Sequence, residues 1–218
     1  MPKIFERELR LLEQQMTALS AVVEENVLLA IKAVKTRDLP LATRIIDGDA
    51  TVDAEEVRLE EECLKILALH QPVAGDLRVV VSILKINSDL ERVGDCAVTI
   101  AGSARELCQL PDVFVPEPLG LLADAAVDML KSALDAFVRL DKEGSRRVCQ
   151  LDPTVDNAHR AVYEQVKATV TRDPRMVEAG LHVLRISHAL ERIGDHATNI
   201  AEDVIYMVEG GIVRHRSI

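Results

Sequence analysis

Apolar residues return every three or four positions along nearly the whole chain, the spacing that lines one face of an α-helix. The pattern predicts a first helix over about Phe5–Lys35, stopped at Arg37-Asp38-Leu39. A second runs from Pro40 to about His70 and ends at Gln71-Pro72. Pro40 suits a first turn, where its missing N–H has no helical partner to lose. The third starts near Ala74 and reaches about Leu107. QLPDVFVPEP (109–118) follows, with three prolines in ten residues, and the periodicity then resumes. A fourth helix is predicted over about Leu119–Leu140 and, past the break Asp141-Lys142-Glu143-Gly144, a fifth over about Ser145–Val170. The sixth starts at Pro174, with Asp173 as its cap, and runs to about Val208 before Gly210-Gly211.

The pattern also repeats. LERVGDCAVTIA (Leu90–Ala101) returns as LERIGDHATNIA (Leu190–Ala201), and DATVD (Asp49–Asp53) returns as DPTVD (Asp152–Asp156). Each pair is separated by about 100 residues, so the chain reads as two copies of a three-helix unit. The expected fold is all-α, two tandem three-helix bundles at 1–110 and 119–210, with a Pro-rich linker at 111–118 and a short basic tail at 211–218. One long six-helix bundle is the alternative, and the linker argues against it.

Aromatic residues make up only 2% of the chain and Trp is absent, which suits helix-on-helix packing. The formal net charge of −10 works against a nucleic-acid partner, because phosphate backbones are bound by clustered Lys and Arg. It suits cations or basic protein surfaces. Cys63, Cys96, Cys108 and Cys149 form no CxxC pair and read as small buried thiols of a reducing compartment. MPKIFERELR lacks the apolar run of a secretion signal, and no uncharged stretch reaches the roughly 18 residues of a spanning helix. A cytoplasmic protein is expected.

At about 100° per residue, with Leu190 at zero, Ile193, Ala197, Ile200 and Ala201 fall within about 80° of it and form a core stripe. Glu191, Asp195, Asn199 and Glu202 fall between about 100° and 180°, with His188 at about 160°. These oxygen- and nitrogen-bearing side chains share a strip turned away from the core. Asp152, Asp156 and His159 lie within about 60° of one another on the fifth helix. Asp49, Asp53, Glu56 and Glu60 line one strip of the second helix, and Glu91 and Asp95 repeat the pair on the third. Each half thus carries two acidic strips.

Such strips have a cost. Like charges four residues apart weaken a helix by about 0.2–0.5 kcal/mol per pair. Two strips on neighbouring helices raise each other's pKa values unless a counter-charge is present. A bound cation supplies one, and carboxylates with an occasional His and Asn suit Mg, Mn, Fe or Zn. The site is expected to lie open at the surface. The competing reading is a solvated face balanced by Arg92 and Arg192, through ion pairs worth little when exposed. Four strips in matching registers favour the metal. His196, at about 240°, falls off the strip and reads as a surface or interhelix residue. Gly94 and Gly194 each cost a helix about 1 kcal/mol relative to Ala, and imply close helix approach or room for a ligand.

Taken together, LERVGD, LERIGD, DATVD, DPTVD and QPVAGDLR (Gln71–Arg78) resemble the signature of the PhoU family, accessory regulators of the bacterial phosphate-specific transport system. The resemblance covers nearly the whole chain. It implies two bundles related by pseudo-twofold symmetry, with multinuclear metal clusters on the acidic strips. Iron or zinc is the implied metal, with manganese or magnesium as further candidates. It implies no catalysis. Family members repress the phosphate-starvation response when phosphate is plentiful, linking the membrane phosphate ABC transporter to a sensor histidine kinase. They form dimers and higher oligomers, and such a protein would meet the membrane only through its partners. Glu91, Asp95, Glu191 and Asp195 match the family's E/D-x-x-x-D signature, and Asp49, Asp53, Asp152 and Asp156 its second acidic position.

The halves diverge. Where the second has His188, Asn199 and Glu202, the first has Ser88, Thr99 and Gly102, so the second half is expected to bind metal more tightly or in greater number. A carboxylate-bridged di-metal enzyme on a helical bundle is a competing function, but both signatures lack the Glu-x-x-His pair such sites use. A metal-free helical scaffold is another. The chain has no Gly-rich phosphate cradle and no obvious nucleophile–base pair, which favours a non-enzymatic adaptor.

Overall fold

In a computed structural model of the chain, residues 3–211 are described, with side chains from residue 4 onward. Six helices make up almost all of it: α1 (Lys3–Thr36), α2 (Leu39–His70), α3 (Ala74–Gln109), α4 (Glu117–Arg139), α5 (Lys142–Arg172) and α6 (Val177–Glu209). A single 3-10 turn at Pro174–Met176 precedes α6, and no strand occurs among the described residues. The basic tail from Ile212 lies outside them.

Local chemistry sets the ends. Asp38 Oδ1 accepts the Leu41 N–H at 2.9 Å, with Pro40 in the first turn of α2. The α4–α5 turn is tighter than the periodicity predicts. Asp141 Oδ1 accepts the Gly144 N–H at 3.0 Å, so Lys142-Glu143-Gly144, expected as a break, forms the first turn of α5. Asp173 caps as expected, its Oδ1 3.1 Å from the Arg175 N–H, although the 3-10 turn intervenes before α6. Gly210, at φ 76°, closes α6 in the left-handed region that glycine enters freely. Arg37 Nη2 donates to the carbonyls of Leu107 and Leu110, both at 2.8 Å, at the C-terminal end of α3, where the Leu107 carbonyl also accepts the Leu110 N–H at 3.3 Å.

Within each half the three helices all touch one another, and the halves meet chiefly through α3 against α6. These two run antiparallel: Lys85 pairs with Asp203, and Asp89 with His196. α2 flanks α3, α5 flanks α6, and α1 touches α4 more lightly. The two bundles thus face each other across a pseudo-twofold axis between α3 and α6. They share one hydrophobic core drawn from all six helices, with Leu12, Leu59, Leu90, Leu122, Val162 and Ile193 among its members. The stripe of Leu190, Ile193, Ala197, Ile200 and Ala201 is buried, as its spacing requires.

A Cβ added at Gly94 would stand 3.5 Å from Val52 Cγ1, and one at Gly194 would stand 3.0 Å from Val155 Cγ1. Those valines belong to DATVD and DPTVD. In both halves, therefore, the valine of one motif seats on the glycine of the other. Close helix approach is what the two glycines provide. Gly94→Ala is expected to stabilise the protein by up to about 1 kcal/mol, because it gains helix propensity without overlap. Gly194→Ala pushes against Val155, a β-branched side chain that cannot easily turn, and is expected to lose about 1 kcal/mol net. Urea midpoints of the two variants check this; shifts of the same sign would contradict it.

Candidate metal centre: two acidic grooves

The valine–glycine contacts bring the strips of neighbouring helices face to face. Between α2 and α3, Asp49, Asp53 and Glu56 confront Glu91 and Asp95, with Glu60 one turn beyond Glu56 on α2. Burial, then the charges of Asp53 and Asp95, hold the Asp49 carboxyl above its ordinary value. Burial, then Glu60, Glu91 and Asp53, do the same to Glu56. Glu91 is raised by burial, then by Asp95 and Asp53, with Arg92 offsetting part of the effect. All six are half-buried or exposed, so the groove is open, as the angles predict. Asn87, only 1% exposed, donates to the Glu56 main-chain carbonyl at 2.9 Å and to its Oε1 at 3.3 Å. Its own Oδ1 is buried and accepts no hydrogen bond.

The groove between α5 and α6 repeats the plan with different donors. Burial and then Asp156 raise Asp152, while the Thr198 hydroxyl, 3.4 Å away, acts to lower it. Burial, then Glu191 and Asp152, raise Asp195, with His196 lowering it. His159 occupies the place of Glu56 and Ser187 that of Asn87, and the two meet with Nδ1 2.7 Å from Oγ. The His159 and His188 rings lie 6.2 Å apart. His188 Nδ1 stands 3.3 Å from Glu191 Oε2, a buried oxygen that accepts no hydrogen bond. Glu202 is half-buried and close enough for its charge to act on Cys149. Asn199 is directed elsewhere: its Nδ2 donates to Asp89 Oδ1 on α3 at 3.2 Å.

Asp89 was not marked by either motif. It is 8% exposed and also receives His196 Nδ1 at 2.8 Å, with His196 only 6% exposed. His196 is thus the interhelix residue its angle suggested. The repeat places Ala189 and Cys96 where Asp89 and His196 stand, so this polar contact has no twofold counterpart. That departure from the repeat was the available signal. Further along the seam, Lys85 Nζ lies 3.1 Å from buried Asp203 and 5.0 Å from the centre of the Tyr206 ring.

Among the described residues, no group of three or more His, Cys, Asp or Glu side chains is gathered closely enough to hold an ion. In kind the donors fit one. Opposed carboxylates repel across both grooves, Asn87 Oδ1 is a buried acceptor without a donor, and Glu191 Oε2 is faced by His188 Nδ1 at 3.3 Å. The thiols are poorer candidates. Burial pushes Cys63 up to about 12 and Cys96 and Cys149 up to about 11, far from the thiolate range. Cys63 and Cys96 are buried as expected, whereas Cys108 and Cys149 are only partly so.

The raised carboxyls have a sign. Asp49, Glu56, Glu91, Asp152 and Asp195 bind protons more tightly folded than unfolded. Their contribution is therefore present below the ordinary values of 3.8 for Asp and 4.5 for Glu, and is lost as pH rises through the raised values. Chelator-treated protein is expected to gain thermal stability as pH falls from neutrality toward the ordinary carboxylate values, and Glu91→Gln to flatten the profile. Thermal melts across that range check both, and a flat wild-type curve would count against the effect.

This geometry defines a class: a tandem-repeat helical bundle with a paired-acid groove in each repeat. The PhoU domain matches residues 16–104 and again 119–204, one match per repeat, and the chain belongs to the PhoU family. It is 37% identical to the phosphate-specific transport system accessory protein PhoU homolog of Pseudomonas putida, over 98% of this chain and 84% of that one. The crystal structure of PhoU from Pseudomonas aeruginosa matches with a TM-score of 0.91 at 36% identity, covering 95% of this chain and all of the other. The phosphate transport system regulatory protein PhoU from Streptococcus pneumoniae matches at 0.89 and 30%, covering 96% of this chain and 99% of that one. No helix among the described residues is long and apolar enough to cross a membrane.

Proposed function

We propose that this protein is a metal-binding regulator of phosphate uptake and phosphate-starvation signalling. It acts as an adaptor between the phosphate ABC transporter and its sensor histidine kinase, and represses the response when phosphate is plentiful. The observation that carries this reading is the PhoU match in each repeat, together with near full-length similarity to accessory proteins of phosphate-specific transport. The protein works in the cytoplasm without catalysis, as a homodimer or higher oligomer, and reaches the membrane through its transporter partner.

In the first groove Asp49, Asp53, Glu56, Glu91 and Asp95 would hold the metal. In the second, Asp152, Asp156, His159, Glu191, Asp195 and Glu202 would do so. When bound there, iron, zinc, manganese or magnesium supplies the positive charge that the opposed carboxylates lack. The chain's own part is to set the α2–α3 and α5–α6 spacing through its valine–glycine contacts. Deleting the gene is expected to derepress phosphate-uptake genes in high phosphate, read by transcript levels. Unchanged transcripts would defeat the regulatory reading.

A further inference from the structure

We infer that the segment following α6, Ile212 to Ile218, docks on its own chain in an apolar cleft at one end of the α3–α6 seam. The cleft, about 480 Å³, is walled by Val79 and Ile83 of α3, by Phe137, Val138 and Leu140 at the end of α4, and by Met207 of α6. Arg10 and Glu13 of α1 stand on its rim. Two of these helices belong to the first repeat and two to the second, so whatever fills the cleft straps the bundles together. Val138 and Leu140 are 56% and 51% exposed, apolar surface that a docked segment would take out of water.

The duplicated architecture names the occupant. Because α3 and α6 run antiparallel, each ends beside the start of the other. At the opposite end of the seam the chain leaving α3 covers this place: Leu110, Val113 and Phe114 pack against the core, and a Cβ added at Gly180 of α6 would meet Phe114 Cε1 at 3.9 Å. A shift of 100 residues carries Gln109, the last residue of α3, onto Glu209, the last of α6. The same shift carries Val113 onto Val213, and Gly180 onto Val80, next to Val79 in the cleft wall. The point of departure agrees. A Cβ added at Gly210 would stand 3.2 Å from Arg78 Cζ, so the chain leaves α6 against the residue preceding Val79. Three extended residues span up to about 10 Å from there, which brings Ile212 and Val213 to the cleft. Arg214 follows them, and the Glu13 carboxyl on the rim, held above its ordinary value by burial with Arg10 offsetting part of the effect, offers it a counter-charge.

The test is tryptic cleavage of the full chain after Arg214 and Arg216, followed by intact mass. Where docking and release are faster than cutting, the rate follows the population of the undocked segment. The segment is expected to be cut at least about tenfold more slowly in the protein than in a free peptide of residues 209–218. Val138→Ser with Leu140→Asn alters exposed positions only, and Asn suits the left-handed backbone at 140. That pair should bring the rate to within about threefold of the peptide's. Ile212→Ser with Val213→Ser should do the same against a peptide carrying both changes, and circular dichroism confirms that the helices persist in each variant. A wild-type segment cut as fast as the peptide, or protection that neither pair removes, would overturn the inference. Protection that grows with protein concentration would give the cleft to the segment of a second copy, and would equally overturn docking within the chain.

Discussion

Replacing Asp89 with alanine is expected to lower the unfolding free energy by about 3 kcal/mol. The carboxylate is 8% exposed and receives hydrogen bonds from both His196 and Asn199. Its loss leaves an imidazole donor and an amide donor facing apolar surface, which is where the cost arises. His196→Ala should cost a comparable amount, and a double-mutant cycle should return a coupling of about 1–3 kcal/mol. The repeat suggests a rescue. At the corresponding positions it places Ala189, Cys96 and Thr99 in contact-forming registers of the same two helices. Asp89→Ala combined with His196→Cys and Asn199→Thr rebuilds that apolar arrangement, and should recover most of the stability because both polar partners leave together. Denaturant unfolding of the single, double and triple variants checks this. A triple variant as unstable as Asp89→Ala would show that the repeat's own solution cannot be transplanted.

Loading the stripped protein with a cation at about a hundred times its Kd is expected to add about 2.7 kcal/mol of stability per independent site. For a chain of this length that corresponds to a rise in Tm of about 5–10 °C. The effect arises because each groove is made by two helices that only the folded chain brings together, so the unfolded chain has no comparable site. Glu91→Gln with Glu191→Gln gives the contrasting sign. Without metal, that variant should be as stable as wild type or more so by about 0.5 kcal/mol, since a repelling charge leaves each groove. With metal it should gain little. Melts with and without chelator separate a cation site from an ion-pair network, which would lose stability at once when a glutamate is neutralised. No shift with Mn²⁺, Zn²⁺, Fe²⁺ or Mg²⁺ would identify the strips as solvated faces.

Much of the fold is legible in the sequence because the helices are long and amphipathic, and three- and four-residue spacing survives small local exceptions. The exceptions are capping events. Lys142-Glu143-Gly144 looks like a break by composition, yet one carboxylate on Asp141 satisfies the Gly144 N–H and turns it into helix. The strips are legible for a related reason: angle along a helix follows from counting. Which strips meet does not. Val52 and Gly94 lie in two separately visible motifs, but only their contact shows that the carboxylates around them share a groove. Asn199 illustrates the limit. Its angle puts it on the strip with Asp195, and its side chain instead reaches α3, because Asp89 offers a buried acceptor there. Asp89 itself belongs to no motif, and its meaning depends on a residue far along the chain.

The α3–α6 seam has one further consequence. A true twofold object offers an approaching partner two identical orientations, and a partner without matching symmetry binds it either way round. Here the Asp89–His196–Asn199 cluster has no counterpart in the repeat, and among the described residues imidazoles flank one groove only. The molecule therefore has a head and a tail despite its duplicated architecture. The two ends of the duplicated chain are chemically unlike, with the His159 and His188 rings at one groove and their counterparts Glu56 and Ser88 at the other.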